Sequence, residues 1–172
     1  MSVYAEAHIS PHQVPGNLIH MLRRQAEKRP DHPAFIHLLD GHSNQAILKY
    51  SQLDQRARAI AAQLQNMGFA GQRVLLVYPP GLDFITAFFG CLFANCVAVP
   101  TYPPHRHRML TRFHAIAADA EASIALSTSC AAAQFQSMIG QKSGQAATFS
   151  QIRWLAIVIW RKRPLDRFRA QS

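Results

Sequence analysis

FITAFFGCLFANCVAVPTYPP, residues 84–104, contains the stretch on which the fold turns: seventeen residues, Phe84 to Pro100, carry no charge. Such a run is either a membrane span or the interior of a folded α/β domain. A spanning helix needs about 20 consecutive apolar residues. This run is shorter and does not keep one period. Asn95 interrupts it, and Val97-Ala98-Val99-Pro100 reads as a strand. The spacing predicts a helix over 82–94, a tight connection and a strand over 96–100. Immediately upstream, Val74–Val77 is a continuous β-prone run, the pattern of a strand buried on both faces of a parallel sheet. Pro79, Pro80 and Gly81 end it, and Asp83 suits the positive end of the following helix. Strand, helix, strand is a βαβ unit, whose crossover is expected to be right-handed.

Outward from this unit the same alternation continues. Asn17 caps a helix to about Arg29, with Leu18, Leu22 and Ala26 on one face, and Pro30 ends it. Ala34–Leu38 and Gln45–Lys49 flank the turn formers DGHSN and predict a hairpin. Ser51 and Asp54 resemble a capping box for a second helix. Leu53, Ala57, Ile60, Ala61 and Leu64 give that helix its buried face, and Gly68 stops it. Downstream, a helix over 108–120, a strand over 123–126 and a helix over 129–139 form a second repeat. Residues 140–151 read as a polar loop, and 152–160 are apolar again.

The chain has 172 residues, 49% hydrophobic and 16% charged, enough for one domain with a core and unlike a disordered chain. The N-terminal residues lack the basic-then-apolar order of a secretory signal. Three cysteines, Cys91, Cys96 and Cys130, form no even framework; they read as reduced core thiols of a cytoplasmic protein. The net charge of +9 is unevenly placed: residues 153–172 hold six basic side chains against one acidic, residues 1–152 twelve against eight.

The residues by themselves define no catalytic constellation. His105, His107 and His114 stand among Arg106, Arg108 and Arg112, without cysteine or carboxylate at ligand spacing; a solvated basic loop is the better reading. His8 and His12 lie among prolines. GQKSG at 140–144 lacks the order of a phosphate loop, and no G-x-S-x-G elbow occurs. WLAIVIWRKR, 154–163, places apolar residues beside cations, which suits a membrane surface or nucleic acid, but a solvated basic tail is the better reading, and no nucleic-acid partner or membrane span is expected.

Residues 74–129 resemble the N-terminal region of fatty acyl-AMP ligases, in the adenylate-forming superfamily. The pieces that carry the resemblance are YPPGLDF (78–84), FFGCLFA (88–94) and AVPTYPP (98–104), with LKYSQLDQRARAIAAQLQ (48–65) upstream. It covers roughly residues 14–156. Asn95 departs from the glycine usual there, a change expected to strain the helix-to-strand turn because a positive φ is cheapest for glycine, although asparagine tolerates it better than most residues.

The resemblance implies a partial N-terminal subdomain of the adenylate-forming fold: α/β, a mostly parallel sheet flanked by helices. It divides the chain into an N-terminal extension (1–13), part of the AMP-binding domain (14–156) and an atypical basic tail (157–172). The abrupt loss of resemblance after Ala156 raises a frameshift or truncation as the origin of the tail. For the full-length family the resemblance implies ATP and Mg²⁺ as cofactors. A fatty acid and an acyl carrier protein are its partners, and acyl-adenylate its product. The family's phosphate loop, downstream acidic motif and C-terminal lysine have no counterpart in this sequence. No catalytic, cofactor-binding or metal residue is therefore carried onto it, and the chain alone is expected to be inactive and marginally stable. Two alternatives stay open: a non-catalytic interaction module, and a basic protein binding nucleic acid or membrane surface through 153–172.

Overall fold

The structure, a computed structural model, describes residues 16–39, 41, 44–104, 107–140 and 152–157. Helix α1 (Leu18–Lys28) starts where the cap requires: the Asn17 side chain accepts from the His20 N–H at 2.9 Å. Of its expected inner face, Leu22 is buried, Ala26 is half-buried and Leu18 faces solvent. Strands β1 (Pro33–Leu38) and β2 (Gln45–Lys49) form the antiparallel hairpin, with Ile36 opposite Ile47. Ala46 and Leu48 point into a core shared with Leu22 and helix α2 (Tyr50–Asn66), whereas Ile36, Leu38 and Ile47 are exposed.

The start of α2 differs from the sequence expectation. The hairpin runs into the helix without a loop, so Tyr50 is already helical and Ser51 lies inside the first turn. Gln52, not Asp54, reaches back to accept from the Lys49 N–H at 3.2 Å. Ser51 Oγ donates to the Pro30 carbonyl at 2.8 Å, and Asp54 is buried against Arg58 at 2.6 Å. The expected apolar stripe Leu53, Ala57, Ile60, Ala61 and Leu64 is buried throughout. Gly68, at φ +80°, ends the helix, and the Phe69 N–H returns to the Leu64 carbonyl at 2.9 Å.

The remaining strands, β3 (Arg73–Val77), β4 (Val97–Thr101), β5 (Ile124–Ser127) and β6 (Arg153–Ala156), form one sheet in the order β4-β3-β5-β6, all parallel. Their crossovers are α3 (Leu82–Phe93), α4 (His107–Asp119) and α5 (Ser129–Gly140). Side chains alternate across β3, so Val74, Leu76 and Tyr78 pack with Ile60 and Leu64 of α2 and Ala87 and Cys91 of α3. Leu75 and Val77 meet Leu110, Phe113 and Ala117 of α4 and Phe135 of α5 on the other face. The chain moves from β3 to β4 in one direction and from β4 past β3 to β5 in the other. Crossovers of one hand must then lie on opposite faces, which is where α3 and α4 are found.

Helix α3 holds most of the uncharged run. It has 12 residues, so it spans about 18 Å, short of a bilayer core. Among the described residues no helix is long and apolar enough to cross a membrane. The apolar girth of α3 is used on two sides: Cys91 and Ala87 face the sheet, Phe89 and Leu82 face α1, α2 and the hairpin. Asn95 adopts φ +59°, and the Cys96 N–H closes the turn on the Cys91 carbonyl at 2.8 Å. Among the described residues strand β4 lies at the edge of the sheet; Val97 is 54% exposed, and Pro100 offers no N–H there.

The three cysteines are unpaired, but they are not all core thiols. Cys91 and Cys96 are buried, whereas Cys130 sits on the outer side of the first turn of α5. The apolar run that holds the first two marks an interior; Cys130 lies at a helix start, where the sequence offers no such signal. Burial pushes the Cys91 thiol up to about 12 and raises that of Cys96. A disulfide-exchange reagent at pH 8 is therefore expected to label one thiol per folded chain and three in denaturant. Rapid labelling of two or three thiols without denaturant contradicts this packing.

Candidate functional site

Parallel strands deliver their carboxyl ends to one edge of the sheet, and in open α/β sheets ligands bind outside those ends. The register aligns them: Val77 pairs with Thr101 on one side and with Ser127 on the other. The segments that leave the three strands are therefore brought to one place. Tyr78-Pro79-Pro80 succeeds β3, Tyr102-Pro103-Pro104 succeeds β4, and Thr128 succeeds β5. Ser127 is buried and its Oγ donates to the Val77 carbonyl at 2.8 Å, locking β5 to β3 at this end. Thr128 Oγ1 accepts from the Ala131 N–H at 3.2 Å and so starts α5.

A cleft of about 210 Å³ opens between the first two segments. Tyr78, Pro79, Pro80 and Phe84 form one wall, and Pro100, Thr101 and Tyr102 the other. None of these side chains carries a formal charge at neutral pH. Tyr102 stands at the rim, 67% exposed. A second cleft lies behind Pro100–Tyr102, against Met109, Arg112, Phe113 and Ile116 of α4. A third separates the Pro79–Asp83 turn from His37, Leu39 and Ala46 of the hairpin. Among the described residues the two Tyr-Pro-Pro segments thus separate these recesses from one another. The sequence marks both segments as distinctive without placing them together. The sequence does mark each as the end of a β-prone run; that the two lie side by side follows from the pairing of those strands.

Among the described residues two polar groups beneath this turn have no hydrogen-bond partner: the Tyr78 hydroxyl and one Asp83 carboxylate oxygen, both buried. Burial raises the Asp83 pKa, with Arg56 opposing, and burial followed by the Asp83 charge raises that of Tyr78. A carboxyl whose pKa rises on folding opposes folding once pH exceeds its unfolded value, near 3.8, and fully so above its folded value. Asp83→Asn is therefore expected to raise the melting temperature at pH 7, with the gain vanishing as pH falls below 4. An unchanged or lower melting temperature at pH 7 overturns that reading of the site.

His107, Arg112 and His114 lie on α4, and Trp154 of the apolar-cationic segment is in β6. Its ring stacks 6.2 Å from Phe113 and lies 4.5 Å from Phe135, so this part of the segment is partly buried against the core. His8, His12, His105, Arg106, residues 141–144 and residues 158–172 lie outside the described residues. Among the described residues no group of three His, Cys, Asp or Glu is placed to hold a metal ion.

An open parallel α/β unit with an apolar recess at its strand ends is a part of many nucleotide-using enzymes, and comparison with known proteins says which. Residues 22–156 match the model of the AMP-binding enzyme family, and the chain belongs to that family. Its relatives include fatty acyl-AMP ligases. It is 37% identical over 141 residues to the medium-chain-fatty-acid–(acyl-carrier-protein) ligase JamA of Moorena producens, a match over 80% of this chain and 23% of JamA. It is 32% identical over 130 residues to the long-chain-fatty-acid–AMP ligase FadD26 of Mycobacterium marinum, a match over 74% of this chain and 22% of that protein. The fatty acyl-adenylate ligase from L. pneumophila, solved in complex with acyl adenylate and pyrophosphate, superposes with a TM-score of 0.66 at 34% identity. That match covers 80% of this chain and 22% of the other. The chain thus spans less than a quarter of the length of each of these proteins.

Proposed function

We propose that this chain is the N-terminal part of the adenylation domain of a fatty acyl-AMP ligase. Such an enzyme joins a fatty acid carboxylate to the α-phosphate of ATP, releases pyrophosphate and passes the acyl group to the phosphopantetheine thiol of an acyl carrier protein. The observation that carries the reading is the family match over residues 22–156, together with FadD26, JamA and the L. pneumophila ligase, all named for fatty-acid activation. A cytoplasmic location and a domain running from 14 to 156, with a separate basic tail, are parts of the same proposal. The family match ends at Ala156, the last residue of β6, which supports that boundary.

The described residues do not themselves fit ATP or Mg²⁺. The cleft between the Tyr-Pro-Pro segments offers no cation for a polyphosphate, and among the described residues no acidic group is assembled for a metal. Phosphoryl chemistry proceeds by positioning and charge neutralisation. On this reading the described residues serve as scaffold for parts supplied elsewhere. The 172-residue polypeptide alone is therefore expected to give no fatty-acid-dependent exchange of pyrophosphate into ATP. Exchange above the buffer rate, lost on heat denaturation, sinks the scaffold reading.

A further inference from the structure

We draw no further inference here: the strongest candidate, the exposed apolar face that Ile36, Leu38 and Ile47 present on the β1–β2 hairpin, carries nothing because the structure does not show what covers it.

Discussion

Gly90→Val lowers the unfolding free energy by roughly 3 kcal/mol, the upper part of the range for overpacking a tight interior. The reason is the approach of α2 to α3. A Cβ built on Gly90 would lie 2.6 Å from Cγ2 and 2.8 Å from Cβ of Ile60, and 3.4 Å from the Ala57 carbonyl oxygen. The obstructing atoms are no flexible tip. They are the branch point of a β-branched residue held in a helix, where one rotamer dominates, whereas the Ala57 oxygen is at ordinary contact distance. An opposing effect exists: glycine inside a helix is disfavoured by about 0.5–1 kcal/mol relative to alanine. That gain is smaller than the cost of separating two packed helices, so the clash decides the sign even for Gly90→Ala.

Urea denaturation of the parent, Gly90→Val, Ile60→Ala and the double variant tests this. Removing the Ile60 branch clears the space, so the double variant is expected to be more stable than the sum of the single changes by about 1 kcal/mol or more. Strict additivity would show that the helices are not in this contact.

That close approach is only half legible in the sequence. The stripe Leu53–Leu64 and the all-round apolar character of 84–94 announce two helices with faces to bury. Nothing in either says that Gly90 meets Ile60, because pairing between helices depends on the three-dimensional register. The same limit explains the cleft. Each Tyr-Pro-Pro segment can be located as the end of a strand. Their meeting depends on the Val77–Thr101 pairing, which is a property of the sheet.

Local rules succeed where neighbours in sequence settle the matter. Asn17 caps α1, Gly68 stops α2, and Asn95 takes a positive φ at the helix-to-strand turn. They fail at Ser51, where the Pro30 carbonyl from a distant turn claims the hydroxyl and Gln52 takes over the capping role. They fail again at Cys130, whose exposure is set by which side of α5 faces the sheet. Composition and spacing name no site residue, and it is the resemblance that supplies the family.

On the proposed function, residues 22–156 are an interchangeable structural part of a fatty-acid-activating enzyme. Grafting them into the L. pneumophila ligase, in place of the segment they match, and measuring ATP–pyrophosphate exchange with a panel of carboxylic acids tests it most directly. The chimera is expected to retain exchange that depends on a fatty acid. A chimera that folds with the parent's cooperativity yet shows no exchange, or exchanges only with an acid lacking an aliphatic chain, contradicts it.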